Sequence, residues 1–526
     1  MSVRQLDCDI DAVETARAQV CVIGAGPAGL MLARRLARGG VSVIVLESGV
    51  RGVSAPHQEL NEVEDLHGRM KGAKYGRARA LGGASLLWGG RMLPLAAHDM
   101  RAWPLTPEAL ASYGHEVEAL LGVDHSSYEE DVRPRLDPHG LMRDGDEDIA
   151  LRFPKWAPFR LCNLANLFSS DLAGLANLDV WIGATAVGFE VDAASGRLAG
   201  VRARDLAGRS LIARADQFVF AAGTIETVRL ALLLDRETQG RAFAGCRALG
   251  VGLQEHIGVN AGVLNVKDCN AANRWFGYHF KGATRRNMHL ELTAAAQARA
   301  GVASAYSQVM INMPEHSPLG VIKNALRGLQ RGRIDLPPRA LMTLAGAPFA
   351  LMRLAYWRYA RGQLHLGRDV GLTLDLQAEQ APDSDNCVTL SETVDALGAP
   401  RARIAWKPTP REETTLRACV SATRAYWTRA GLDHVAPIAW IDRANDPGKP
   451  LIDVAFDLYH PSGGAAMGVD HVVSVVDADL RCHLVPNLTL VSAATFPTAG
   501  SANPTYTIMC LALRAADRLA RELRAA

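Results

Sequence analysis

The sequence predicts an α/β fold, α+β overall, in which a discontinuous parallel-sheet domain receives a second domain built on an antiparallel sheet flanked by helices. Three observations predict it. A strand, glycine turn, helix and strand follow one another in residues 18–47. A second strand, glycine turn and helix appear in mid-chain at 216–234, and compact glycine-rich sequence with a terminal helix at 506–523 closes the chain. Between the last two, residues 260–455 are more aromatic and mixed, with strand-like runs at 370–376 and 386–390.

The opening unit carries the most information. Val20, Cys21, Val22 and Ile23 form a short apolar run of the kind buried in a parallel sheet. Residues 24–29 are the turn. Residues 30–38 have helical spacing, with Leu32 and Leu36 on one face, and Gly39-Gly40 stops the helix. Residues 41–46 are a second buried strand. Within the turn, Gly24 permits a sharp bend, Gly26 lets backbone approach a pyrophosphate, and Gly29 lets the helix pack close to the strand. Pro27 and Ala28 open the helix, whose free N–H groups face an anion. Glu47 ends the second strand, where a carboxylate accepts hydrogen bonds from a ribose diol. This is a Rossmann-type dinucleotide site.

The mid-chain run Phe218-Val219-Phe220-Ala221-Ala222-Gly223-Thr224 is a strand ending in a glycine turn before a helix near Glu226. No second GxGxxG turn offers a place for a nicotinamide cofactor. The reading is therefore FAD as the single dinucleotide. The FAD-binding domain is expected in three pieces, 17–104, 178–262 and 455–526, the last also carrying catalysis. A cap segment at 105–177, with polar helices and proline breaks, and a substrate domain at 263–454 lie between them. Residues 178–206 alternate as in a short antiparallel sheet.

Bulk properties exclude some classes. The chain has 526 residues, 48% hydrophobic, enough for two or more domains. A net charge of +2 argues against a nucleic-acid binder. The nine cysteines are scattered singly, Cys8 being the first, with no CxxC pair. That pattern suits reduced thiols and offers no metal site or disulfide framework. The N-terminal residues include Asp7, Asp9, Asp11 and Glu14 and lack an apolar signal core, and no stretch of about 18 apolar residues occurs. A soluble cytoplasmic protein is the expectation.

Several blocks together resemble the glucose-methanol-choline (GMC) oxidoreductase family. Residues Arg79-Ala80-Leu81-Gly82-Gly83-Ala84-Ser85-Leu86-Leu87-Trp88-Gly89-Gly90-Arg91 are similar to its flavin-covering loop. The block from Gly250 to His256 is similar to the turn after its middle strand. His460-Pro461-Ser462-Gly463-Gly464 through Met467-Gly468, then Val475-Val476-Asp477, Asn487 to Val491, Phe496-Pro497-Thr498 and Asn503-Pro504-Thr505 match its C-terminal half in order and spacing. The details are most similar to the bacterial branch acting on sugars and glycosides, alongside pyranose oxidases and glycoside dehydrogenases. The resemblance implies a His–Asn pair at the flavin, here His460 and Asn503. It also extends the cofactor set to Arg79, Gly82, Gly83, Ser85, Trp88, Gly89, Gly90, Val187, Ala222, Gly223, Pro504 and Thr505. Some relatives tether FAD to a histidine in the covering loop. Leu87 stands at the matching position here, so noncovalent FAD is expected.

Alcohol oxidation removes a hydride from carbon and a proton from oxygen. Histidine titrates near pH 6.5 and suits the proton, so His460 is the candidate base. Asn503 is the candidate for orienting the hydroxyl. His256, His471 and His483 read as turn or surface residues, and Asp477 as a residue ordering the C-terminal loop. The leading function is oxidation of a sugar, glycoside or polyol CH–OH group, with oxygen, a quinone or a protein carrier as electron acceptor. Alternatives are a lipid or sterol-like alcohol, a non-redox lyase on the same scaffold, and a binding flavoprotein.

Residues 316–368 stand apart, with nine Lys or Arg, one acid (Asp335) and apolar blocks at 340–344 and 348–357. The first reading is amphipathic helices packed on the second domain or lining an entrance. A membrane-surface contact and a partner face are the other two.

Overall fold

Strand Val13–Ile23 is the axis of the first sheet. Its apolar end, Val20–Ile23, is buried, as the short apolar run requires. It pairs in parallel with Val43–Glu47 on one side and Ser210–Phe220 on the other. Leu178–Ile182 and Val3–Arg4 extend the sheet beyond Val43–Glu47, again in parallel. Beyond Ser210–Phe220, Leu198–Arg204 and Thr185–Val191 add an antiparallel meander, and Leu488–Leu490 joins in parallel against Phe218–Phe220. The structure is a computed structural model that describes residues 3–6, 13–129, 132–136, 146–331, 337–367 and 370–525.

One expectation is corrected here. Leu178–Ile182 belongs to the parallel part of the first sheet, and the antiparallel meander begins only at Thr185. Alternation along a strand reports which faces are buried. It says nothing of the partner's direction.

Helix Pro27–Arg38 crosses one face of this sheet and packs against Pro504–Ala525, the helix that the sequence places at 506–523. Arg35 Nε holds Asp517 at 2.9 Å across that contact. Helix Thr224–Glu237 follows the mid-chain strand directly, as expected.

The second sheet runs Ile438–Trp440, His256–Leu264, Gly371–Glu379, Ala305–Asn312, His289–Leu292, Ile149–Arg152, with every neighbouring pair antiparallel. Ile149–Arg152 comes from the stretch that the sequence reads as helices and proline breaks, so a strand was missed there. Strict alternation divides this sheet. Ile257, Val259, Leu374, Leu376, Ala378 and Leu290 are buried on one face, against which helix Pro410–Arg429 packs. Thr409 and Glu412 cap that helix reciprocally. The other face presents Glu291, Tyr306 and Gln377 in one register row, and His289, Gln308 and Asp375 in the next. That polar face is the one in contact with the C-terminal part of the chain.

The eight described cysteines are all free, and Cys8 lies outside the described residues. Among the described residues no helix is long and apolar enough to cross a membrane.

Candidate active site

A cleft opens at the C-terminal ends of the first sheet's parallel strands. Gly24, Gly26, Pro27, Ala28, Glu47, Arg79, Gly83, Ala222, Gly223, His460, Pro504 and Thr505 all line it. The glycine turn is built as its spacing implies. Gly24 has φ +105°, and a Cβ there would lie 2.6 Å from the Ala221 carbonyl oxygen. A Cβ on Gly29 would lie 1.9 Å from the Gly24 oxygen, so the helix could not sit against the strand with any other residue. At Gly26 the nearest atom to such a Cβ is 4.0 Å away. Nothing in the protein itself demands glycine at 26, whereas a phosphate lying against the backbone would.

Glu47 is buried and each oxygen takes one backbone N–H, from Ala25 at 2.9 Å and Gly49 at 2.7 Å. Burial raises its pKa, partly offset by the Gly49 and Ala25 amides. Each oxygen keeps a further lone pair for a ribose hydroxyl. Helix Pro27–Arg38 has no side chain capping its N-terminus, so its first N–H groups are free to face a pyrophosphate. These features fit FAD.

Gly83 abuts the turn: its Cβ would lie 2.7 Å from the Cα of Gly26. The covering loop is thus seated directly on the dinucleotide turn. Arg79 supports it from behind. Its guanidinium reaches Asn61 Oδ1 (2.8 Å), Ser48 Oγ (2.8 Å), the Leu60 carbonyl (3.0 Å) and Glu226 Oε2 (2.9 Å). Burial works against the Glu226 carboxylate, but Arg229, Arg79 and Arg77 outweigh it and draw its pKa down to about 2.

Other predicted residues lie behind the cleft wall. Ser85 donates to the Gly82 carbonyl and accepts from Leu164 N–H. Trp88 Nε1 donates to the Cys162 carbonyl at 2.8 Å. Gly89 packs under Trp156, and Gly90 has φ +74° beside Cys162. These four shape the loop. Val187 does not line the cleft, whereas its neighbours Ala184, Thr185 and Ala186 do. Leu87 is 38% exposed. Asp477 Oδ1 accepts the N–H groups of Asp479 and Arg481, ordering the C-terminal loop as expected.

The two candidate catalytic residues come together. Asn503 Nδ2 lies 2.7 Å from His460 Nε2. Asn503 Oδ1 accepts from Arg91 Nε at 2.8 Å. Arginine has only donors, so it fixes which end of the Asn503 amide is oxygen. The amide nitrogen then donates to His460 Nε2, which must carry the lone pair. His460 Nδ1 therefore bears the proton and donates to His256 Nδ1 at 3.1 Å. Burial, then His256 and Arg91, hold the His460 pKa well below its ordinary value, so the ring is neutral.

His256 is the main residue that sequence reading misplaced. It is neither turn nor surface: it is buried at the start of strand His256–Leu264, with its pKa lowered to about 4, chiefly by burial. Glu255 beside it accepts the backbone N–H groups of both His256 and His460. Arg91 was also missed. It reaches Gln308 Oε1 (3.0 Å), Tyr306 OH (3.0 Å) and His289 Nε2 (3.3 Å), joining Asn503 to the polar face of the second sheet. Tyr306 in turn donates to Gln377.

Residues 382–512 match the GMC oxidoreductase family model, and residues 17–58 match an FAD-binding-domain model. The chain thus carries a GMC oxidoreductase C-terminal domain and an FAD-binding domain. It is an FAD-dependent oxidoreductase acting on CH–OH groups. The chain is 26% identical to the 6'''-hydroxyparomomycin C oxidase of Streptomyces lividus, over 96% of this chain and 92% of that one. It is 24% identical to the fructose dehydrogenase large subunit of Gluconobacter japonicus, over 97% and 99%. Among solved structures, an Aspergillus oryzae RIB40 formate oxidase superposes with a TM-score of 0.61 at 16% identity, covering 98% of this chain and all of that one. At that identity the likeness is one of fold.

Proposed function

We propose that this protein oxidises a hydroxyl of a sugar, glycoside or related polyol to a carbonyl, with His460 as general base and Asn503 as the group orienting the reacting oxygen. The observation that carries this reading is the 2.7 Å Asn503–His460 contact at the end of the cleft, with the amide and imidazole both set by Arg91. FAD, when bound, supplies the hydride acceptor. The substrate hydroxyl replaces the direct Asn503–His460 contact: it donates to His460 Nε2 and accepts from Asn503 Nδ2. As the carbon loses hydride, Nε2 takes the hydroxyl proton, and Asn503 stabilises the developing alkoxide. A neutral, buried imidazole is already in the state that this step requires.

The polar face beyond Arg91 supports a polyhydroxylated substrate over a sterol-like one. Asp375 Oδ1 and His289 Nδ1 are buried without a hydrogen-bond partner, and burial raises the Asp375 carboxyl to about 7. Buried polar groups cost free energy until paired, and sugar hydroxyls pair with them where a hydrocarbon cannot. Fructose, after which one full-length relative is named, is such a substrate. Segments 17–104, 178–262 and 455–526 serve FAD in this reading. The electron acceptor is oxygen, a quinone or a carrier protein.

The test is anaerobic mixing of the holoenzyme with a panel of sugars and glycosides. Bleaching of the oxidised flavin is expected, and His460→Ala is expected to slow it by about 10²–10⁴ while FAD stays bound. Product without bleaching points to a lyase, and near-normal bleaching in His460→Ala removes His460 as the base. Turnover with a dye and with oxygen then separates dehydrogenase from oxidase.

A further inference from the structure

Helices Pro338–Ala345 and Pro348–Ala360 bury none of their residues. This is unusual for their composition. Phe349 is 80% exposed, Tyr359 83%, Met342 65% and Met352 58%. A helix that keeps an apolar face normally buries it. On the second helix Phe349, Met352, Tyr356 and Tyr359 fall at i, i+3, i+7 and i+10 and form one exposed apolar face, while Leu351, Leu354 and Trp357 on the other side are half-buried.

Charge singles out the occupant. The two helices carry Arg339, Arg353 and Arg358, Arg361 follows the second, and the described residues of 316–367 hold no acid, Asp335 lying outside them. A second copy docking face to face would set these cations against themselves. The covering surface must be anionic and apolar at once. A lipid bilayer bearing anionic headgroups is both. At 13 residues the longer helix measures about 20 Å, short of the roughly 30 Å hydrocarbon core, so it lies in the interface and does not span. Tyr356 and Tyr359 are side chains suited to that depth.

The pair is fixed to the body of the protein. Arg358 stacks 3.9 Å over the Phe280 ring and donates to the Gly282 carbonyl. The preceding helix, Pro318–Gln330, ends with Gln330 Nε2 bonded to the carbonyls of Ser85 (3.0 Å) and Trp88 (2.8 Å) in the covering loop. We propose that helices Pro338–Ala345 and Pro348–Ala360 form a monotopic docking surface for anionic phospholipid membranes.

The test is co-sedimentation of the FAD-loaded full chain with extruded vesicles. One set is an equimolar mixture of phosphatidylglycerol and phosphatidylcholine, the other phosphatidylcholine alone. Binding to the anionic vesicles is expected, weakening as salt rises. Arg353→Gln should cost about fivefold in partitioning. Phe349→Ser with Tyr359→Ser should cost at least about tenfold, with FAD content and melting temperature held because both sites are exposed. The proposal is overturned if the anionic vesicles bind no more protein than the neutral ones, or if the double serine variant binds like the parent. It is equally overturned if the parent is an oligomer that the double variant converts to monomer, because a second copy then covers this face.

Discussion

Arg91 Nε donates to Asn503 Oδ1 at 2.8 Å, across 412 positions of sequence. That bond decides the orientation of the Asn503 amide and, through it, the tautomer of His460. A lysine at 91 has a compact ammonium and cannot hold Asn503, Tyr306 and Gln308 in one plane. Arg91→Lys is expected to lower kcat by roughly 10–100-fold, a loss typical of a misplaced catalytic group. FAD content and melting temperature should stay near those of the parent. Rapid-scan flavin reduction checks this, and an unchanged rate would sink the positioning role.

His460 sits well below its ordinary pKa because burial, His256 and Arg91 all oppose the imidazolium. The base must be neutral to act. Lowering the pH through 6.5 should therefore leave kcat/KM nearly unchanged, and the acid limb should appear only below that value. A profile with its midpoint at 6.5 would mean an ordinary, solvated histidine and contradict the assignment.

Two glycines of the same turn should fail differently. Gly29→Ala places a Cβ 1.9 Å from the Gly24 oxygen, so the chain without cofactor should already melt lower, by a few kcal/mol of stability. Gly26→Ala meets nothing closer than 4.0 Å. Its cofactor-free chain should melt like the parent, while FAD affinity falls at least about tenfold. Calorimetry of both apoproteins, with FAD titrations, separates the cases. Equal FAD affinity in Gly26→Ala would show that the backbone at 26 is not a phosphate contact.

Leu87 offers no nucleophilic ring nitrogen at the covering loop. Precipitation with trichloroacetic acid is expected to release the yellow flavin fully into the supernatant. Colour retained in the washed pellet would show a covalent link through another residue.

The legible parts of this protein are those written in local backbone geometry. Gly24, Gly29 and the short apolar strand beside them announce their turn because only particular residues fit it. Helices Thr224–Glu237 and Pro504–Ala525 were likewise readable from their neighbours. The pairing of His460 with Asn503 was accessible only through family resemblance, since the two stand 43 positions apart on loops either side of strand Leu488–Leu490. Arg91 and His256 were quoted within recognisable blocks yet received no role, because their partners lie hundreds of residues away. The polar face of the second sheet had a usable signal. Thr373, Asp375, Gln377 and Glu379 alternate with Leu372, Leu374, Leu376 and Ala378, and such a pattern usually marks a solvated face. Here Asp375, Gln377 and Glu379 are buried instead, Gln377 taking the Tyr306 hydroxyl and Glu379 the Gly500 N–H. Nothing in the strand itself distinguishes the two outcomes.

The strand Leu488–Leu490 and helix Pro504–Ala525 complete a sheet and a helix pair begun by Val13–Ile23 and Pro27–Arg38. Translation delivers these partners several hundred residues apart. The edge of Ser210–Phe220 and one flank of the first helix must wait, apolar and uncovered, while everything between is synthesised. The nascent chain thus has a long window in which it needs protection from aggregation, and it gains its reactive centre only when its final segment threads back to its first.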